Sequence, residues 1–100
     1  MDLKSYKQKS IRLSDFQIAE SKSFLKIKKK IDSKLYEKIR NFVYPQLCKN
    51  PYFGANIKKL KGSFEGYYRY RIGNYRLFYM VEEGEVVVFI VDLKLRKDAY

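Results

Sequence analysis

Apolar residues change their spacing along the chain, and each spacing predicts a different element. From Asp15 to Glu20 the order Phe16, Ile18 against Gln17, Ala19 has period two, so a first short strand is expected there. From Phe24 the positions Ile27, Ile31, Leu35, Ile39, Phe42 and Val43 step by three or four, a helical stripe facing a core with lysines on its other side. Asp32-Ser33 offers an N-cap in mid-stripe, which favours two helices, yet the stripe keeps phase through it and one long helix stays open. Pro45 lacks a backbone donor and crowds the preceding turn, so the helix should kink or end near Tyr44, and Asn50-Pro51 should stop it. Gly54, Gly62 and Gly66 then mark a loop, with a short extended piece over residues 56–62 leading into a sheet.

Alternation returns at Tyr67. On a strand over residues 67–72, Tyr67, Arg69 and Arg71 share one face and Tyr68, Tyr70 and Ile72 the other. Gly73-Asn74 is a two-residue turn signal, so the segment from Tyr75 should return antiparallel and bring Arg76 beside the first two arginines. Glu82-Glu83-Gly84-Glu85 signals a second hairpin. The run from Val86 to Leu93 is apolar on both faces, as befits a central strand covered on one side by helix. Tyr68, Tyr70, Tyr75 and Tyr79 alternate as core or cross-strand residues would, and Cys48 reads as a small filler. Residues 1–14 carry Lys4, Lys7, Lys9 and Arg12 with only Ile11 and Leu13 as an apolar pair, and read as a basic arm or an edge strand. With no repeat or linker, residues 1–100 form one α+β domain.

Composition adds a partner class. An apolar content of 46% with 17% aromatic residues places the charge on a folded body, and 22 Lys+Arg against 11 Asp+Glu give a net +11. Nucleic acid heads the expected partners, ahead of an acidic protein or an anionic surface; the plain alternative is a lysine bias without function. Lys22, Lys26, Lys28, Lys29, Lys30, Lys34, Lys38 and Arg40 face only Asp32 and Glu37 across the helical region. A solvated helix face explains that excess at least as well as a phosphate-tracking ridge does. One cysteine and no histidine exclude an internal disulfide, the usual zinc spacings and histidine acid–base chemistry. Met1 to Leu13 has no apolar core of a signal peptide, and no run approaches the ~20 apolar residues of a spanning helix. A cytoplasmic protein without a membrane partner is expected.

Lys59-Leu60-Lys61-Gly62, the run from Tyr68 to Tyr79, the acidic turn, the valine-rich strand and Arg96-Lys97-Asp98-Ala99-Tyr100 together resemble the RelE/ParE superfamily of bacterial toxins. The resemblance runs from about residue 15 to the end of the chain. It implies an antiparallel meander sheet of about four strands packed against a helical hairpin, and a cognate acidic antitoxin as partner. RelE-like members cut mRNA in the ribosomal A site by attack of a ribose 2′-hydroxyl on the adjacent phosphate, without cofactor or metal. ParE-like members instead poison DNA gyrase. The resemblance places the catalytic positions on Arg69, Arg71, Arg76 and Tyr100. RNA contacts fall to Lys59, Lys61, Lys94 and Arg96, with Tyr67 as a stacking ring. Leu95 stands where a common variant has histidine. Arginine is a fixed cation that forks onto phosphate oxygens and is a very poor base, so these three clamp charge while proton transfer falls to Tyr100. A third reading, an antitoxin-bound corepressor of weak toxicity, follows from arginines where lysines are usual.

Overall fold

The computed structural model describes residues 15–99. In chain order they form β1 (Gln17–Glu20), α1 (Lys22–Lys28), α2 (Ser33–Lys38), a π-helical turn (Ile39–Val43), α3 (Tyr44–Lys49), β2 (Ile57–Lys59), β3 (Tyr67–Ile72), β4 (Tyr75–Glu82) and β5 (Val87–Leu95). Short 3-10 turns lie at Gly62–Phe64 and Arg96–Asp98. No helix among the described residues is long and apolar enough to cross a membrane.

The chain does break at Asp32. Its carboxylate accepts from the Lys34 N–H at 3.2 Å and caps α2, just as the Ser21 hydroxyl caps α1 by accepting from the Phe24 N–H at 3.1 Å. The result is a helical hairpin whose second arm runs from α2 through the π turn into α3. Pro45 does not end that arm, so of the two expected outcomes, a kink or an end near Tyr44, the end is excluded. The wide turn before it, closed by the Tyr44 N–H donating to the Ile39 carbonyl, restarts the helix so that Pro45 falls in its first turn, where a missing N–H costs nothing. The same turn overrides the helical stripe: Val43 is buried, while Phe42, expected on the core side, is 69% exposed. Asn50 is extended ahead of Pro51, and α3 ends there as expected.

The sheet has five strands in the order β1-β5-β4-β3-β2. The meander β3-β4-β5 is its centre, as anticipated, and two short strands extend it: β2 antiparallel to β3, and β1 parallel to β5. β5 thus has neighbours on both sides. Gly73 turns the β3–β4 hairpin at φ 58, a left-handed conformation that glycine adopts without strain. Between Phe78 and Tyr79 the register with β5 slips, Phe78 facing Asp92 and Tyr79 facing Ile90, so Val91 is the extra residue of a bulge.

Phe24, Ile39, Val43 and Leu47 from the helices meet Leu77, Tyr79, Val88 and Ile90 from the sheet in the main core. The expected tyrosine face lies on this side. Tyr68 stacks on Tyr79 with ring centroids 5.5 Å apart, and Tyr70 and Tyr79 donate to Gln46 Oε1 at 2.7 Å and to the Pro51 carbonyl at 2.6 Å. The buried hydroxyls are therefore satisfied. On the open face of the sheet lies a second, smaller cluster of Leu60, Phe78 and Ala99, flanked by Tyr67 and Val91.

Candidate nucleic-acid interface

Residues opposite one another on antiparallel strands share a face, so the register alone builds two rows of side chains on the open side of the sheet. Lys58 on β2 faces Arg69 on β3, which faces Phe78 on β4 and through it Asp92 on β5. One step along, Arg71 faces Arg76, which faces Lys94. Three cations directly in register on adjacent strands repel one another, a cost that an anion would reverse.

Around the first row lies a groove of about 590 Å³ lined by Lys58, Lys59, Leu60, Lys61, Phe64, Arg69, Arg76 and Arg96. Six of these eight side chains are cationic and none is acidic, so the field inside has one sign. Arg76 is the anchored member. It is 7% exposed, and its Nη1 donates to the carbonyls of Tyr75 at 3.0 Å and Gly73 at 3.3 Å. Arg69 is held more loosely: its Nη1 donates to the Asn56 carbonyl at 3.3 Å while its Nε is buried with no acceptor. Phe64, on the loop between β2 and β3, presents an exposed ring among the cations.

Of the positions expected from the sequence, Lys59, Lys61, Arg69, Arg76 and Arg96 meet at this groove. Arg71, though paired with Arg76 through the backbone, lines a separate pocket at the β3 edge with Lys38 and Phe42. Lys94 is exposed on the neighbouring strand, its Nζ 3.8 Å from an Asp92 carboxylate oxygen. Tyr67 is half-buried against the Leu60–Phe78–Ala99 cluster. Tyr100 lies outside the described residues, as do residues 1–14. Lys58 and Phe64 line the groove without having been expected there. Lys58 becomes visible only once the β2–β3 register is known, and Phe64 sits in a loop without periodicity.

Proton transfer is not offered by the tyrosines whose acidity the fold alters. Burial, and then hydrogen bonds to Glu20, push the Tyr36 and Tyr44 phenols up; burial, and then Glu83, takes Tyr52 to about 12; burial, and then its tyrosine neighbours, raises Tyr79. Each is moved away from service as a base at neutral pH.

The sequence profile described as "ParE toxin of type II toxin-antitoxin system, parDE" matches residues 7–100. No curated protein matches the sequence. Among solved structures, the chain is similar to one in the toxin–antitoxin complex RelBE2 from Mycobacterium tuberculosis at TM-score 0.74 and 20% identity, covering 87% of this chain and 98% of that one, a likeness of fold. It is similar to one in the archaeal RelE-RelB complex from Pyrococcus horikoshii at TM-score 0.69 and 27% identity, covering 85% and 99%. The isolated RelE toxin of E. coli matches at TM-score 0.66 and 26% identity, covering 80% and 83%.

Proposed function

The chain belongs to the ParE toxin family of type II toxin–antitoxin systems, within the RelE/ParE superfamily, and from that premise we propose that it is an mRNA endoribonuclease that arrests translation. The observation that carries this reading is the groove in which Lys59, Lys61, Arg69, Arg76 and Arg96 converge without an acidic residue. Cleavage by a 2′-hydroxyl forms the O2′–P bond and breaks the P–O5′ bond, and the proton lost by the 2′-hydroxyl to a base is matched by one that water gives to the departing 5′-oxygen, leaving a 2′,3′-cyclic phosphate and a 5′-hydroxyl. Charge gathers on the equatorial phosphate oxygens in the transition state, where fixed cations act most strongly. Arg76, locked by two backbone carbonyls, and Arg69, which lines the same groove, are the proposed clamps on the scissile phosphate, while Arg71, expected beside them, faces the adjoining pocket and a neighbouring phosphate. Lys59, Lys61, Lys94 and Arg96 track the neighbouring phosphates, Tyr67 flanks them as a base-stacking ring, and Tyr100 is the proposed acceptor of the 2′-hydroxyl proton. The expected partners are mRNA on the ribosome and a cognate acidic antitoxin, in line with the toxin–antitoxin complexes of the structural relatives.

The second reading is inhibition of DNA gyrase by binding, without a nuclease site. It is favoured by the match to the ParE profile and by Leu95 at a position where a histidine occurs in one nuclease variant. Induction of the chain in cells separates the two. The nuclease reading expects incorporation of labelled amino acid to stop before that of thymidine, with new mRNA 5′-hydroxyl ends within coding sequence, and both effects lost in folded Arg69→Ala/Arg96→Ala protein. Arrest of replication first, with a DNA-damage response and intact mRNA, establishes the gyrase reading instead.

A further inference from the structure

Beside the basic groove, the β3 edge carries a second pocket of about 380 Å³ whose lining includes Lys38, Phe42, Asn56, Arg71 and Gly73. Three features set it apart from an ordinary surface hollow. Phe42 holds a ring that is 69% exposed, although its place in the apolar stripe would bury it; the π turn Ile39–Val43 is what brings it outward. Single π turns in helices commonly mark functional positions, and this one sets the exposed ring beside two cations. Lys38, four residues earlier, and Arg71 supply two cations with no carboxylate partner among the described residues. The pocket also adjoins the basic groove. The Asn56 carbonyl accepts both the Arg69 Nη1 of the groove, at 3.3 Å, and the Arg71 backbone N–H of the pocket, at 2.8 Å.

We propose that this pocket takes one unstacked nucleotide of a single-stranded RNA leaving the groove, its base on the Phe42 ring and its phosphate between Lys38 and Arg71. An aromatic face beside two cations is the pairing that single-stranded nucleic acid recognises, because every base has a stacking surface and every linkage a charge. The Asn56 side chain, which donates through Nδ2 to the Tyr70 hydroxyl at 3.4 Å, keeps its amide oxygen as an acceptor for a base edge. The subsite rests on the RNA reading above and extends it by a contact that decides which segment of the strand is held. An acidic peptide would satisfy the cations and leave the ring without a flat partner.

The chain contains no tryptophan, so Phe42→Trp in the full-length protein gives a single fluorescent reporter at the site. The ligand is an end-labelled 2′-O-methyl RNA of about ten nucleotides, which lacks the attacking hydroxyl and fits a typical single-strand site. The expected result is binding by polarisation, quenching of the indole by the oligonucleotide but not by polyglutamate, and a roughly five- to fiftyfold weaker affinity in folded Phe42→Ala protein. If the oligonucleotide binds, and Arg96→Ala weakens it while Phe42→Ala and the indole signal do not respond, the subsite is wrong and the RNA groove stands. If the wild-type chain does not bind the oligonucleotide, the RNA reading falls and the subsite with it. Equal quenching by polyglutamate overturns the proposal in favour of an acidic protein contact.

Discussion

Glu20 ends β1, and its carboxylate joins three helical segments at once. It accepts from Tyr36 Oη at 2.7 Å, Tyr44 Oη at 2.8 Å and Lys28 Nζ at 3.0 Å, so the edge strand is tied to α1, α2 and α3 by one side chain. Lys28 also lies 4.9 Å from the centroid of the Tyr36 ring, closing the network. Burial alone would raise the carboxyl, but the hydrogen bonds from the two tyrosines and Lys28 outweigh it and hold Glu20 below its ordinary 4.5. Because the folded value lies below the unfolded one, this contribution to stability is complete above pH 4.5 and is lost as the pH falls through the folded value. At the alkaline end the raised Tyr36 and Tyr44 phenols act oppositely: their share is complete below their ordinary 10 and fades as the pH rises past it. Glu20→Gln should therefore be less stable than the wild type by about 1–3 kcal/mol at pH 7, with the two thermal midpoints converging in acid. A constant difference between the midpoints from pH 7 to pH 3 would show that the carboxylate charge is not what binds the network.

At the level of elements, the β4–β5 connection carries the one non-glycine residue among those described with positive φ. Val86 sits at φ 57, where a β-branched side chain is strained, and its carbonyl accepts the Gln17 N–H at 2.9 Å that starts the parallel pairing of β1. Asparagine tolerates this conformation, so Val86→Asn should raise stability by about 0.5–1 kcal/mol, a gain of several degrees in thermal midpoint for a domain this size. A lowered midpoint would mean that the half-buried valine contributes more by packing than it loses by strain. What could be read in advance follows the same division between local and distant causes. The β3–β4 hairpin was legible because alternation and a Gly-Asn turn are written in adjacent residues, and so was the tyrosine face it buries. The hairpin of helices was half-legible: Asp32 announced a cap, but the stripe ran on through it. Phe42 misled because counting by 3.6 residues per turn cannot foresee a π turn that shifts the phase. The β1–β5 pairing joins strands some seventy residues apart, and the Lys58–Arg69 register is likewise set by the tertiary fold. The arginines show the limit most clearly. Their cross-strand adjacency followed from the turn, whereas the divergence of Arg71 into one pocket and Arg76 into another depends on side-chain packing that alternation does not encode.

For the molecule as a whole, the question is whether its net +11 is read by phosphates or is only a soluble coat. The two can be told apart by salt. Each phosphate neutralised on a single strand releases condensed counterions, and the logarithm of the association constant then falls with the logarithm of salt by about 0.7 per contact. Diffuse surface charge, such as the lysines on the outer faces of the helices, is largely screened beyond ~10 Å at 0.1 M salt and adds little to that slope. If about four cations of the groove meet phosphates, the free chain should bind the uncleavable oligonucleotide with a slope near −3. Arg96→Ala should make the slope shallower by about 0.7, whereas Lys30→Ala, on the helical side, should leave it unchanged. Phe42→Ala tests the other kind of contact, because a stacked base releases no counterion: affinity should drop at every salt concentration with the slope preserved. If Lys30→Ala and Arg96→Ala lower the slope equally, the strand is following total charge and not the groove, and the case for a built catalytic site on this sheet face fails at its first requirement, a fixed position for the scissile phosphate.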